Sequence, residues 1–284
     1  MTGLLAFSTL ACPEWPAETV IANAAAYGYE GIEWRGGAQG HVPPSLPPAR
    51  RAARRRAASE AGLFALAVTA YTSFVAEDPV ERQKNVDDLK RSADLAADLD
   101  AQYVRAFIGE VDAPADLPAL YDRIAHCLEA AAQHAGSVGV TIAVEPHDDF
   151  VRSSAVAPIL ERLSHPALGV IWDIGNAFSA GEQPEEGFQL LGKRLTYVQV
   201  KDGVGRGPTW RLTRLGEGEV PLGRAFGLLQ ADGYGGAFSV EWERAWHPEL
   251  DPPEIALPAA LRTVRNLLTT AQAGPIRRNA REAA

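Results

Sequence analysis

The sequence has few cysteines, no long apolar run and no signal peptide, and each absence excludes a class of protein. Its two cysteines, Cys12 and Cys127, lie far apart along the 284 residues and form no metal-binding pair. No apolar stretch is long enough to cross a bilayer. We therefore expect a protein of the reducing cytoplasm with no membrane partner.

The sequence also lacks an excess of basic residues, since 36 acidic residues outweigh 27 basic ones and the net charge is −9. Such a chain does not offer the basic surface that nucleic acid requires, so we expect no nucleic-acid partner. One basic run, at residues 50–56, is interrupted by alanine at helical spacing. This pattern indicates a solvated helix face, with a phosphate or partner patch as the alternative.

Short apolar runs with strand character alternate with helical segments eight times along the chain. The strands are predicted at 4–10, 31–34, 64–69, 101–107, 140–145, 168–172, 195–200 and 237–241. The helices are predicted at 16–27, 47–62, 79–99, 118–137, 153–164, 184–191, 222–231 and 253–271. This alternation is typical of parallel βαβ units. It favours a single (β/α)8 TIM barrel over residues 1–274, followed by a flexible tail at 275–284.

An open, doubly wound sheet is the alternative architecture. Such sheets often bind nucleotides through a glycine-rich loop after the first strand. The corresponding stretch here, F-S-T-L-A-C-P at 7–13, contains no glycine. The barrel therefore remains the preferred prediction.

Four consecutive predicted strands place an acid or an amide on the inner face as the strand ends. Side chains alternate between the two faces of a strand, so Glu145, Asp173, Gln199 and Glu241 all point into the barrel. A single acid at such a position is often an ion pair or a helix cap. In a (β/α)8 barrel, however, the carboxyl ends of all strands meet at one mouth.

Three carboxylates that converge without a cation would repel one another and raise each other's pKa. A divalent metal would remove this repulsion, and the carbonyl of Gln199 could complete its shell. An all-oxygen set suits one Mn²⁺ or Mg²⁺ ion, with Co²⁺ or Zn²⁺ as alternatives. The sequence therefore predicts a metal site at Glu145, Asp173, Gln199 and Glu241.

Five motifs resemble the xylose isomerase-like TIM barrel superfamily of sugar phosphate isomerases and epimerases, and the resemblance covers nearly the whole chain. They are G-Y-E-G-I-E-W-R (28–35), V-E-P-H-D-D-F (144–150), W-D-I-G-N-A-F (172–178), V-Q-V-K-D (198–202) and S-V-E-W-E (239–243). The family's metal ligands are a Glu, an Asp, a His and a Glu. They fall on Glu145, Asp173, Gln199 and Glu241, so Gln199 departs from the family's histidine.

The resemblance implies proton transfer at a carbon next to a carbonyl, on a sugar or sugar phosphate and through an enediolate. Glu145 and Glu241 are then the acid and base, which double as metal ligands. Return of the proton to the opposite face gives epimerisation, and return to the neighbouring carbon gives aldose–ketose isomerisation. Loss of a β-hydroxyl would instead give a dehydratase. Relatives are often dimers or tetramers, so we expect a homodimer or homotetramer.

Several further side chains are candidates for substrate binding. Those on or just beyond the strand ends are His147, Asn176, Lys201, Arg105, Glu33 and Trp246. Asn176 stands where relatives often have a substrate-binding histidine. Lys201 could neutralise a substrate oxyanion or pair with Asp202 or Glu243, and Glu33 could pair with Arg105.

Two other functions compete with this hypothesis. The endonuclease group of the same superfamily needs several histidine ligands, but the chain has only six histidines, and Asn176 and Gln199 replace two expected ones. The acidic charge also opposes DNA binding. The second competitor is a non-catalytic sugar-binding or partner protein, in which Gln199 marks an altered metal site.

Overall fold

The computed structural model describes residues 3–111 and 116–272, and in this part of the chain eight parallel strands close into a barrel. The barrel strands are β1 (Leu4–Ser8), β2 (Gly31–Arg35), β3 (Phe64–Thr69), β4 (Tyr103–Ala106), β5 (Thr141–Val144), β6 (Leu168–Asp173), β7 (Leu195–Val200) and β10 (Ala237–Val240). A short antiparallel hairpin, β8 (Asp202–Val204) and β9 (Arg211–Thr213), stands between β7 and the last barrel strand. The predicted (β/α)8 fold is confirmed.

Helices surround the barrel and connect each strand to the next. They are α1 (Ala17–Tyr27), α2 (Pro48–Glu60), α3 (Pro79–Asp98), α4 (Leu117–Ser137), α5 (Ser153–Leu160), α6 (Ile174–Ser179), α7 (Pro184–Leu191), α8 (Leu222–Ala231) and α9 (Pro253–Gln272). Three of them, α3, α4 and α6, begin after an aspartate whose side chain accepts a hydrogen bond from the backbone of the first turn. Asp78 accepts a hydrogen bond from the backbone of Val80, and Pro79 occupies the first turn, where its missing N–H costs nothing.

The apolar residues form two separate layers because strand side chains alternate between two faces. The larger layer lies between the strands and the helices, where Phe7, Trp34 and Val104 are buried. The smaller layer fills the barrel interior and contains Ala6, Leu66, Ala67, Ala143, Ile171, Tyr197 and Ala237. This interior plug is apolar, and the polar inward residues lie only above it, at the carboxyl ends of the strands.

The β8–β9 hairpin is the main element that the sequence pattern did not predict. Asp202 organises it, since its carboxylate accepts hydrogen bonds from the backbone N–H groups of Gly203, Gly216, Gly218 and Val220 at 2.8–3.2 Å. A Cβ atom at Gly218 would stand only 2.1 Å from the Asp202 carboxylate, so this position requires glycine. Asp202 therefore serves the hairpin and leaves Lys201 to other partners.

Two further expectations concern the chain as a whole. No helix among the described residues is both long enough and apolar enough to span a membrane. The tail predicted at 275–284 lies outside the described residues.

Candidate active site

Three buried carboxylates meet at the barrel mouth. Glu145 directly follows β5, Asp173 ends β6 and Glu241 directly follows β10. One oxygen atom of each lies within 4.8 Å of the corresponding oxygen of the other two. The structure thus brings together the acids that the strand pattern placed on one face, while their roles in metal binding and catalysis remain predictions.

Gln199 lies beside these carboxylates and is fully buried in β7. Its Nε2 donates to Glu33 Oε1 at 3.0 Å and to Glu241 Oε1 at 3.3 Å. The opposite orientation of the amide would set a carbonyl against two carboxylates. Its Oε1 has no hydrogen-bond partner among the described residues, so the site contains a buried carbonyl oxygen that is free to accept.

Lys201 places its ammonium group among the acids. Its Nζ lies 2.9 Å from Asp173 Oδ2 and 2.6 Å from Glu241 Oε2, and it also contacts the carboxylate of Glu243. Of the two alternative ion pairs, the structure contains the one with Glu243 and not the one with Asp202. Lys201 is therefore an internal counter-ion of the carboxylate cluster.

Arg105 and Glu33 complete the polar layer, but they do not pair with each other as the alternative expected. Arg105 Nη1 instead donates to Glu145 Oε2 at 3.0 Å, and its guanidinium lies 4.0 Å from the centre of the Phe107 ring. Glu33 accepts from Gln199, from Ser239 Oγ at 2.5 Å and from the Tyr197 hydroxyl at 3.3 Å. The two residues therefore position different neighbours.

Asn176, in the first turn of α6, and His147, in the loop after β5, adjoin the cluster. The backbone N–H of Asn176 donates to Asp173 Oδ1 at 2.9 Å, and its side chain donates to Glu145 Oε1 at 3.3 Å. Asp173 thus caps the N-terminus of α6 with Oδ1, while its Oδ2 faces Lys201 within the cluster. His147 stacks on Phe107 with ring centres 4.3 Å apart, and its Nδ1 lies 2.7 Å from Asp148 Oδ1.

The carboxylates outnumber the cations that pair with them. Five acids share this region, namely Glu33, Glu145, Asp173, Glu241 and Glu243, against the ammonium of Lys201 and the guanidinium of Arg105. Burial raises the pKa of Glu145 and of Asp173 to about 8. Burial, and then the charge of Glu241, raises the pKa of Glu33 to about 7. Were all five acids ionised, they would carry more negative charge than the two cations neutralise, and the raised pKa values mean that part of the layer stays protonated near neutral pH.

Glu241 differs from its neighbours. Burial raises its pKa, but Lys201 and then Arg105 outweigh burial and hold the pKa below its ordinary value. Glu241 is thus the acid of the three that its neighbouring cations keep ionised, whereas Glu145 and Asp173 keep raised pKa values and would need a further cation to ionise fully.

These residues fit a divalent metal by their chemistry. Gln199 Oε1 is buried and has no partner among the described residues. Asp173 Oδ2 also has no hydrogen bond of acceptable angle, although Lys201 lies at ion-pair distance. A 2+ charge would allow the carboxyl groups without a paired cation to ionise together, and an all-oxygen donor set suits Mn²⁺ or Mg²⁺.

A cavity of about 340 Å³ opens above the cluster. Glu145, Glu241 and Lys201 form its floor, and Tyr71, Phe107, His147, Trp246 and His247 contribute to its walls. This volume lies within the range of small-molecule sites. Of the predicted substrate-binding residues, Arg105, His147, Lys201 and Trp246 line this cavity, whereas Glu33 and Asn176 contact it only through their neighbours.

Sequence reasoning did not single out Tyr71 and Phe107. Phe107 lies two residues beyond Arg105, and Tyr71 lies two residues beyond the end of β3. The alternation of side-chain direction that identified the acids therefore continues past the strand ends. Counting two residues further could have identified Tyr71 and Phe107.

The chain is similar to two proteins named as epimerases and to a zinc-bound structure. A fructoselysine 3-epimerase of Escherichia coli O157:H7 is 23% identical over 269 residues, which cover 89% of this chain and 94% of that protein. A crystal structure of the IolI protein with a bound zinc atom superposes with a TM-score of 0.82 at 18% identity, over 94% of this chain and 98% of that chain. A structure of L-ribulose 3-epimerase gives a TM-score of 0.81 at 18% identity over 100% of both chains.

The family model for the xylose isomerase-like TIM barrel matches residues 21–267. This match includes the strands and helices that carry the whole carboxylate cluster. The chain therefore belongs to the xylose isomerase-like TIM barrel family.

Proposed function

We propose that this chain is a divalent-metal-dependent epimerase of a sugar or sugar phosphate, which moves a proton at a carbon next to a carbonyl. The observation that carries the proposal is the meeting of Glu145, Asp173 and Glu241 within 4.8 Å of one another, beneath a cavity of sugar size. The epimerase names of the similar proteins support the same reaction class.

Glu145, Asp173, Gln199 and Glu241 would hold the metal. When bound, such an ion supplies Lewis acidity, which stabilises negative charge that develops on a substrate carbonyl oxygen. Asp173 is fixed for this task because its other oxygen caps α6. Gln199 is fixed because its amide nitrogen is held by Glu33 and Glu241, which aims its carbonyl away from both.

Glu145 and Glu241 are the proposed acid–base pair. They follow different strands and reach the same cavity floor, so a sugar between them presents a different face to each carboxylate. One carboxylate takes the proton, and the other returns a proton to the opposite face of the same carbon. Arg105 orients Glu145, and Lys201 orients Glu241, through buried ion pairs.

The remaining polar residues have supporting roles in this proposal. His147 and Lys201 line the cavity and would offer hydrogen bonds to substrate hydroxyls or to a substrate oxyanion, whereas Asn176 would act through Glu145, to which its side chain donates. Trp246 and Phe107 offer apolar faces on which a sugar ring can lie. Closely placed aromatic walls also exclude water from the reacting carbon.

The first test measures bound metal per chain together with exchange of substrate hydrogen for deuterium. Wild type, Glu241→Gln and the exposed-site control Glu161→Gln are incubated with Mn²⁺ and a panel of ketoses and their phosphates. We expect about one metal ion per chain and exchange next to a carbonyl in wild type and control, and neither in Glu241→Gln. Metal binding without exchange on any member of a broad panel would contradict the epimerase.

Lys201 favours a second candidate, a non-catalytic sugar-binding protein. Its ammonium already contacts two of the three clustered carboxylates, so an internal cation stands where the metal charge is needed. This candidate predicts that sugars bind with no metal and no exchange. Calorimetric titration of the same panel separates the two candidates.

A further inference from the structure

Arg35 is a cation of the barrel mouth that the proposed chemistry does not use. It ends β2, two residues beyond Glu33, so its side chain leaves the strand on the same inward face. Its backbone is fixed, because its N–H donates to Thr9 Oγ1 at 2.8 Å and its carbonyl accepts from Val42 N–H at 3.1 Å. The base of this side chain is therefore rigid.

The guanidinium of Arg35 has no carboxylate partner within 4.0 Å in the part of the chain that the structure describes. The residue is nevertheless only 7% exposed, and its Nε is buried without a hydrogen bond to any described residue. The other two buried cations of the mouth are neutralised, since Arg105 pairs with Glu145 and Lys201 pairs with Asp173 and Glu241. Among these buried cations, Arg35 is thus the one that has no described carboxylate partner.

Trp246 is the contact that holds this guanidinium in place. The Arg35 Cζ lies 4.5 Å from the centre of the Trp246 ring, at stacking distance. β1 separates β2 from β10 in the barrel, so this contact spans one strand across the mouth. Stacking on an aromatic face offsets part of the cost of burying a cation, but it satisfies none of the five N–H donors of the guanidinium.

The same tryptophan lines the cavity that holds Glu145 and Glu241, and its side chain is half exposed. Leu10 and Tyr71, which follow the strands on either side of β2, also line this cavity. Arg35 itself does not line the cavity, but its guanidinium lies against the ring of Trp246, which does. An anionic group that extends from a bound sugar past Trp246 would meet this guanidinium.

We infer that Arg35 and Trp246 form a subsite for an oxyanion of the substrate, a carboxylate or a phosphate, at the end of the sugar remote from the reacting carbon. This inference rests on the proposed function and names the substrate class within it. A guanidinium binds a carboxylate or a phosphate through two parallel N–H groups. Such a ligand would give acceptors to N–H groups of Arg35 that stacking on Trp246 leaves without a hydrogen bond. The indole face packs on the adjoining carbons of the sugar.

An anionic substrate needs a cation that lies outside the carboxylate floor of the cavity. Three carboxyl groups line the cavity, those of Glu145, Glu241 and Glu243, against the two cations Arg105 and Lys201, and both cations are already paired, so a substrate oxyanion is disfavoured there. Arg35 supplies an attractive position away from that floor. It would thereby orient the sugar with its anionic end at the wall and its carbonyl at the carboxylates.

The test compares Arg35→Met with wild type and with Arg50→Met, which removes an exposed arginine from α2. Exchange is measured for a neutral ketohexose, its phosphate ester and its uronic acid. We expect wild type and Arg50→Met to prefer one anionic ligand over the neutral sugar by at least about tenfold in kcat/KM. Whether the phosphate or the uronic acid is preferred identifies the oxyanion.

In Arg35→Met we expect KM for that anionic ligand to rise at least about tenfold, while kcat/KM for the neutral ketohexose stays within about threefold. Arg35→Lys keeps the positive charge but lacks the paired N–H groups of the guanidinium. It should therefore retain part of the preference for the anionic ligand that Arg35→Met loses. Equal rates for neutral and anionic sugars in wild type, or a preference that survives in Arg35→Met, would overturn the inference and leave the epimerase standing.

A binding experiment tests the subsite without requiring turnover, and so separates this inference from the proposed function. Calorimetry measures the affinity of the same three ligands for wild type and Arg35→Met, whether or not any ligand is turned over. Tighter binding of an anionic ligand to wild type than to Arg35→Met supports the subsite even if no exchange occurs. Equal affinities overturn it, since a merely structural Arg35 would alter thermal stability and not selectivity.

Discussion

The barrel interior contains two regions built by the same strands, and they differ sharply. Below, small and branched apolar residues such as Ala6, Leu66 and Ile171 fill the space between strands. Above, the next inward positions of the same strands carry acids, amides and cations, such as Glu145, Asp173 and Gln199. The lower region gains free energy from burial, whereas the upper region buries charges that only other charges make tolerable.

This difference shows how one fold separates stability from chemistry. The lower plug needs nothing but volume and apolar surface, so it closes the barrel without specifying a function. In the upper layer, buried polar side chains position one another through hydrogen bonds and ion pairs. A change in the lower region should therefore cost stability, and a change in the upper region should cost activity or metal binding.

The largest expected effect breaks the upper layer. Glu241→Gln removes one proposed ligand and one member of the acid–base pair, while its amide can still occupy the same volume. We expect exchange activity to fall by at least about a thousandfold with only a small change in unfolding free energy. Glu161→Gln, at an exposed position, should leave activity unchanged. Activity of Glu241→Gln within tenfold of wild type would contradict the assigned role.

The next effect breaks the lower plug. Ile171→Ala opens a cavity in the fully buried interior and should lower the unfolding free energy by about 2–5 kcal/mol in urea denaturation. Ile255→Ala, at a half-exposed position on α9, is the matched control and should cost much less. Metal content per folded chain should not change in either variant. Loss of metal in folded Ile171→Ala would show that the two regions are coupled.

Lys201→Met tests whether the internal cation competes with the metal. Without metal, Asp173 and Glu241 lose their counter-ion, so the melting temperature should fall relative to wild type. With Mn²⁺, the increase in melting temperature should exceed that of wild type, because a competing cation has been removed. Thermal unfolding with and without Mn²⁺ measures both. An equal increase in the two proteins would show that Lys201 does not oppose the metal.

The last expected effect is a pH dependence of stability in metal-free protein. Burial raises the pKa of Glu145 from 4.5, and of Asp173 from 3.8, to about 8 in the folded state. Between these values the folded chain holds protons that the unfolded chain releases, so stability is greatest at low pH within this window and falls as pH rises towards 8. Added Mn²⁺ should reverse the slope, because the ligands must be ionised to bind it. Melting temperatures across this window, with chelator or with Mn²⁺, give both slopes.

Much of the candidate site could be predicted because barrel topology and strand alternation act together. Glu145, Asp173 and Glu241 were placed by counting inward positions from strand ends, and the closed barrel then requires them to share one mouth. Gln199 was identified by the same alternation, whereas Asn176 was identified because it stands where relatives often have a histidine. Arg35 shares the inward parity of Glu33, but parity alone does not mark an arginine as a site residue, because an arginine at a strand end is usually solvated or paired.

By itself, the sequence determined eight strand–helix units, the inward face of each strand and the identity of the acids at the mouth. The tertiary structure decided which of these groups pair: Arg105 with Glu145 and not with Glu33, and Lys201 with Asp173, Glu241 and Glu243. It also decided that Arg35 stacks on Trp246, 211 positions along the chain, with no described carboxylate at ion-pair distance. The reason is physical. Periodicity reports the face of a side chain, whereas the stagger of neighbouring strands and the reach of long side chains set its partners, and these exist only in the closed barrel.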